Sequence, residues 1–116
     1  MRIAVIDEEE ALRCMVQAAL EWDGHTVTCF ARPPSHLIGF DLVVIEPGEH
    51  MRWIETVIRL KAQCIRIIIL TFHDENMLAG EVLSLSAFKK LNYKKSGLAF
   101  LMEEISSLQA VVENRR

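Results

Sequence analysis

No apolar run in this chain approaches the roughly 20 residues a membrane-spanning helix needs. The longest, around Ile67–Leu70, is the size of a strand. Met1-Arg2 leads at once into a strand-like pattern, so no secretory leader is expected. An excess of positive charge is lacking as well. The net charge is −3, and the one basic cluster is Lys89, Lys90, Lys94 and Lys95. That gives no broad field for DNA or RNA, and neither nucleic acid nor membrane is expected as a partner. Cys14, Cys29 and Cys64 lie in apolar contexts without CxxC spacing. They are expected to be buried free thiols in a reducing, cytoplasmic setting. The four histidines lack metal-ligand spacing and read as surface or packing residues. There is no GxGxxG after the first strand pattern and no P-loop, which argues against a nucleotide module. No nucleophile–base pairing is visible, so an independent enzyme is not expected. Repeats and low-complexity segments are absent too.

What is present is a balanced globular composition. Hydrophobic residues make up 51% and charged residues 25% of 116. That length suits one domain with a real core, expected over residues 1–113, with 114–116 as a polar tail or the start of a linker. Arg2–Ile6 reads as a strand. Leu12, Met15, Val16, Ala19 and Leu20 then recur at helical spacing, after acids that suit a helix amino terminus, and Asp23-Gly24 stops the helix. His25–Phe30 alternates like a second strand. Pro33-Pro34 limits any helix in 32–40 to about one turn. Leu42–Ile45 is a continuous apolar strand, as a sheet covered on both faces requires. The spacing predicts a helix over Glu49–Ala62, a strand over Ile65–Leu70 ending at Thr71, and a helix over Asp74–Leu85 weakened by Gly80. A fifth strand is expected at Ala87–Asn92. Ser96 can cap a last helix with a core stripe of Leu98, Leu101, Met102, Ile105, Leu108 and Val112.

Strictly alternating strands and helices imply an α/β fold: a parallel sheet with helices on both faces. Ligands of such folds bind beyond the carboxyl ends of the strands. Asp7 and Glu8, Glu46 and Pro47, Thr71 and Phe72, and the stretch 92–95 stand there. Three carboxylates in one place repel one another increasingly as water is excluded. They need a divalent cation such as Mg²⁺, a lysine, or a proton on one of them. Taken singly, acids after a strand are often no more than helix caps.

Taken together, these segments resemble the receiver domain of two-component response regulators. RIAVIDEEEALR is similar to the family's first strand and acidic pair, which puts Asp7 and Glu8 in the acidic positions. DGHTV resembles the turn into the second strand. DLVVIE resembles the third strand and sets Glu46 on the phosphoacceptor position. IIILT resembles the fourth strand and its switch hydroxyl, Thr71. SAF, residues 86–88, falls where a Gly-Ala motif usually opens the fifth strand. The resemblance implies a single five-stranded parallel sheet, doubly wound, a (βα)5 flavodoxin-like fold of strand order 2-1-3-4-5.

The departures from the family are as informative. The family's acceptor is aspartate, and Glu46 carries its carboxylate one methylene further out. In-line transfer tolerates little displacement; a shift of that order can cost roughly 100-fold. Glu46 reads either as a fixed imitation of the phosphorylated state or as drift in a disused site. Pro47-Gly48 alters the adjoining loop, and Phe72 follows Thr71 where the family prefers a small residue. Counted forward from Thr71, the family lysine falls on Tyr93; counted back from the last helix, on Lys94. Neither register supplies the following proline. The switch aromatic aligns with Lys90.

These departures imply a pseudo-receiver that signals through protein–protein contact without aspartate phosphorylation. The alternative is a working Mg²⁺-dependent acceptor, with the metal on Asp7, Glu8 and Glu46. No cofactor is expected beyond weak Mg²⁺. The family's contact surface, the fourth helix, fifth strand and fifth helix, is the expected site for a partner, an adjacent output domain or a second copy.

Overall fold

The computed structural model describes residues 1–46, 54–62, 66–71 and 89–114. Strand β1 (Arg2–Ile6) leads through an acidic turn into helix α1 (Glu10–Trp22), followed by β2 (Thr26–Phe30), β3 (Leu42–Ile45), α2 (Ile54–Ala62), β4 (Arg66–Thr71), β5 (Lys89–Asn92) and α3 (Tyr93–Asn114). The expected helix over Asp74–Leu85, the SAF segment and Pro47-Gly48 lie outside the described residues.

The chain is an α/β protein whose sheet is parallel, with β2, β1, β3 and β4 in that order. The register is continuous. Ile6 lies opposite Phe30 on one side and Ile45 on the other, and Ile45 lies opposite Ile69. Beyond β4, the backbone of β5 runs parallel to it, from Ile68 opposite Lys89 to Thr71 opposite Asn92.

Side chains of a strand alternate between faces, so one apolar run can feed two cores. Ala4, Ile6, Val43, Ile45, Ile67 and Ile69 point to one face, where Leu60 of α2 and Leu37 cover them. Ile3, Val5, Leu42, Val44, Ile68 and Leu70 point to the other, against Val16 and Leu20 of α1 and Leu101 and Ile105 of α3. All four residues of β3 are buried. Each such aliphatic side chain is worth roughly 1.5–3 kcal/mol of burial, so the two cores anchor the sheet.

Residues 31–41 hold no helix at all. Pro33 and Pro34 lack the amide hydrogens a helix would use. Leu37 is inserted into the core in place of a helix, beside an edge-to-face pair of Phe30 and Phe40 with ring centroids 6.2 Å apart. Arg59 of α2 donates to the Pro34 carbonyl at 3.3 Å and ties this segment down.

Several expectations need correction. Met15 is not a core residue: it is 42% exposed, and only Val16 and Leu20 of α1 are fully buried. Cys14 is exposed and Cys29 half-buried, both as free thiols, so apolar sequence context did not mean an inward face for Cys14. Helix α3 begins at Tyr93, so Ser96 lies within its first turn and is not the cap. Tyr93, Lys94 and Lys95 offer nothing that breaks a helix, and Asn92 before them is a residue type favoured at the cap position. Strand β2 also starts one residue later than expected, at Thr26, with His25 just outside it.

Candidate functional site at the carboxyl ends of the strands

Helix α1 follows β1 on one face of the sheet, and α2 follows β3 on the other. From β1 the chain proceeds outward to β2; from β3 it proceeds the opposite way, to β4. The two connections diverge, and a crevice opens between the carboxyl ends of β1 and β3, the topological switch point of such sheets. Asp7 and Glu46 are the residues at those two ends. Their backbones extend the sheet by one step. The Asp7 amide donates to Phe30 O at 3.1 Å, and the Glu46 amide donates to Ile6 O at 2.9 Å. The sheet register thus sets these two acids side by side.

Asp7 is the deeper of the two, only 6% exposed. Its Oδ1 accepts the Glu9 amide at 2.9 Å, which closes the turn into α1. Its carbonyl oxygen accepts Arg13 Nη1 at 2.8 Å. Burial penalises the ionised carboxyl, and the charges of Glu46 and Glu9 add to the penalty. The Glu9 amide and the Arg13 guanidinium oppose both effects and lose, so the Asp7 pKa rises to about 6. The raised pKa shows that the described side chains relieve the repulsion between these acids only in part.

Glu8 lies in the exposed turn beside Asp7. Thr71 closes β4 and Lys90 lies in β5, opposite Ile69, so both belong to strands of the same sheet. Lys94 lies in the first turn of α3. The expected roles of the Thr71 hydroxyl and the Lys94 ammonium fall outside the described side chains. Among the described residues, no group of three or more His, Cys, Asp and Glu is arranged to hold a metal ion. Asp7 Oδ1 is engaged by the Glu9 amide.

Sequence reasoning missed Arg13. The available signal was its place on the helix: with Val16 and Leu20 it forms an i, i+3, i+7 row, a cation on the buried stripe of α1. A charge there needs a partner, and the Asp7 carbonyl provides one. The turn amide of Glu9 was also missed, since backbone donors leave no mark in side-chain patterns.

The arrangement is a half-buried crevice with one carboxyl that titrates near neutrality, a second carboxylate beside it and a guanidinium behind it. It can take up a proton or a cation. Among the described residues, no helix is long and apolar enough to cross a membrane. No protein-family model matches the chain, and no curated protein matches it.

Proposed function

We propose that the chain is a receiver-like signalling domain that works by protein–protein contact, without phosphorylation of an acceptor aspartate. The observation that carries this reading is Glu46. It stands at the switch-point end of β3, its amide fixed on Ile6 O at 2.9 Å, beside a buried Asp7 whose pKa is raised to about 6 by burial and by the charge of Glu46. A phosphoacceptor site needs the acceptor oxygen at a strict distance, and Glu46 carries its carboxylate one methylene further out than an aspartate would. The finer fold reading, a five-stranded (βα)5 receiver of strand order 2-1-3-4-5, is supported by the 2-1-3-4 sheet and by β5 alongside β4. Lys90 takes the strand-five position where the family carries its switch aromatic, which removes the usual threonine–aromatic coupling. The partner or output domain is assigned to the fourth-helix, fifth-strand and fifth-helix surface, and the setting to the cytoplasm.

An amide NMR titration tests this reading, first with Mg²⁺ and then with beryllofluoride, which imitates a phosphoryl group on a carboxylate. The expected result is no movement of the Asp7, Glu8, Glu46 and Thr71 signals at millimolar Mg²⁺, with nothing added by beryllofluoride. In Glu46→Asp, recovery of both responses would show that the added methylene alone had closed the site. Responses from the unaltered chain would instead establish a working acceptor and overturn the proposal.

A further inference from the structure

We propose that the open edge of β2 pairs with the β2 edge of a second copy of this chain, antiparallel and centred on Thr28. The two flanks of the sheet are built differently. Beyond β4, β5 reads KKLN, two lysines in four residues, the kind of charge that keeps foreign strands away. On the other flank β2 reads TVTCF and has β1 as its neighbour. It carries no charge and no proline, and its continuous register against β1 leaves no bulge, so the usual edge defences are missing. Apart from Cys29, its residues are β-branched or aromatic, types that favour strand pairing. Thr26 and Thr28 are exposed, and Val27 and Cys29 are half-buried. The Thr26 amide donates to Met1 O at 3.0 Å, and Phe30 O accepts the Asp7 amide at 3.1 Å. Main-chain groups alternate in direction along a strand. Thr26, Thr28 and Phe30 therefore bond towards β1, while Val27 and Cys29 aim their amides and carbonyls outward. Among the described residues, no turn or loop backbone meets those outward groups.

The residues in and around the strand select a second copy as the occupant. Outward groups on Val27 and Cys29, with an inward residue between them, suit an antiparallel two-fold pairing. With Thr28 opposite the partner's Thr28, Val27 lies opposite the partner's Cys29 and exchanges both main-chain bonds with it. Symmetry repeats the exchange on the other side of the axis. The two Thr28 side chains then meet in the closely spaced, non-bonded kind of pair, where threonine hydroxyls can bond to each other. The same register sets Gly24 opposite the partner's Arg32 and brings Asp23 beside that guanidinium. Asp23 precedes β2, Arg32 follows it, and both are exposed. An antiparallel pair therefore matches opposite charges at both ends, whereas a parallel pair in register sets acid against acid. Pro33, the next residue, has no amide to donate, so the ladder stops there. The contact is isologous and closes on itself. A dimer built this way presents only the lysine-bearing β5 strands at its flanks, so the sheet does not grow into a fibre. One five-residue ladder belongs to the transient class of interfaces, below about 1,200 Å², and the dimer is reversible. The β2 edge is separate from the fourth-helix and fifth-strand face, and the inference does not depend on whether Glu46 accepts a phosphoryl group.

The test uses the isotope-labelled full chain under reductant, so that the exposed Cys14 cannot cross-link two copies. Sedimentation equilibrium up to about 1 mM is expected to show a reversible monomer–dimer equilibrium. Over the same range, hydrogen exchange at the Val27 and Cys29 amides is expected to slow by about tenfold, and at Thr26, Thr28 and Phe30, already bonded to β1, by less. Thr28→Lys sets two ammonium groups against each other and is expected to weaken the dimer at least about tenfold. Its far-UV circular dichroism at low concentration should be unchanged, because Thr28 is exposed. Asp23→Arg and Arg32→Asp are each expected to weaken the dimer about threefold, and the double swap to restore it. Ile58→Ala, an exposed position on α2, is expected to leave it as it was. A chain still monomeric at about 1 mM would overturn the proposal. So would a dimer indifferent to Thr28→Lys, or one whose newly protected amides lie outside β2. An alternating Thr–Val peptide that protects Val27 and Cys29 at lower concentration than the chain itself does would also overturn it, because the edge would then accept strands in general. The beryllofluoride experiment reads a different region, so failure of one reading leaves the other standing.

Discussion

The two ends of the same sheet are built on different principles. At the amino ends of β1, β2 and β3, polar groups meet partners of the right kind. The Arg2 amide donates to Asp41 Oδ2 at 2.8 Å, and the Asp41 amide donates back to Arg2 O at 2.8 Å. The Thr26 amide donates to Met1 O at 3.0 Å, and the terminal ammonium of Met1 donates to His25 Nδ1 at 3.1 Å. The Arg2 guanidinium stacks over Phe40, 5.2 Å from its ring centre. One group departs from this pattern: Nη1 of Arg66, at the start of β4, is buried with no hydrogen-bond partner among the described residues. At the carboxyl ends of β1 and β3, like charges are set together and one is pushed out of water. A fold has no stabilising reason to gather acids at its switch point. Tension of this kind marks surfaces kept for something other than stability.

The largest expected effect comes from removing that tension. Burial holds the Asp7 pKa at about 6 in the folded chain, against an ordinary 3.8. Its folded pKa is raised, so its contribution is most favourable below about pH 4 and is lost as pH rises through 6. That difference corresponds to about 3 kcal/mol, at roughly 1.4 kcal/mol per pH unit. Asp7→Asn keeps an oxygen for the Glu9 amide but brings an NH₂ group that needs its own acceptor. A net gain of about 2 kcal/mol at pH 7.5 is expected, shrinking to nothing below pH 4. Denaturant unfolding across that pH range measures it. A variant no more stable than the parent at pH 7.5 would mean that the acids at this end are already balanced, and the contrast between the two ends would collapse.

At the other end, the same kind of substitution should do harm. Asp41→Ala removes the side-chain half of the reciprocal pair with Arg2 and is expected to cost about 1 kcal/mol in denaturant unfolding. Gly39 and Gly24 sharpen the same point. Both have positive φ, +87° and +90°, where an alanine is strained. A Cβ at Gly24 meets open space, whereas at Gly39 it would lie 2.8 Å from Arg2 Nη1. Each Gly→Ala change should therefore cost about 1 kcal/mol. The Gly39 variant should lose slightly more, because the Arg2 side chain must also leave its place against Phe40. Equal losses in parallel urea titrations would show that the Arg2–Phe40 contact adds nothing at this end.

Much of this contrast was legible in the sequence, and the rest was not for identifiable reasons. RIAVI, LVVI and IIIL announce buried strands because β-branched residues on both faces leave no other economical reading. Glu46 could be placed at a strand end because the apolar run stops there. Alternation with right-handed crossovers implies a parallel sheet but fits more than one strand order, and the order 2-1-3-4 was implied by the resemblance. Burial within α1 was misread at Met15, because the helical period admits a stripe of either width and apolar identity does not say which side faces the sheet. The start of α3 was misread because Ser96-Gly97 looks like punctuation, while Tyr93-Lys94-Lys95 carries no start signal of its own. The perturbed Asp7 was beyond sequence reasoning altogether. Its pKa depends on how deeply the β1 end is covered and on which amide the carboxylate faces, and neither leaves a mark in the residue string.

The smallest expected effect concerns His25, the amino-end counterpart of Asp7. His25 is buried, and burial lowers its imidazole pKa below the ordinary 6.5; the ammonium of Met1 lowers it further, and Asp23 opposes both. A neutral imidazole accepts the Met1 ammonium, and a protonated one would repel it. Because the folded pKa lies below the unfolded one, the unfolded chain binds more protons in this range. Stability from His25 is complete above 6.5 and is lost as pH falls below it. Asp7 acts with the opposite sign between about 6 and 4, so the parent chain should show a shallow, partly cancelled profile there. Asp7→Asn removes one of the two slopes. In that background, the melting temperature should fall steadily from pH 7 to pH 5, and a further His25→Gln should flatten it. If the single variant is already flat, His25 titrates alike in both states. The bond from Met1 would then hold the amino end by position alone and not by charge.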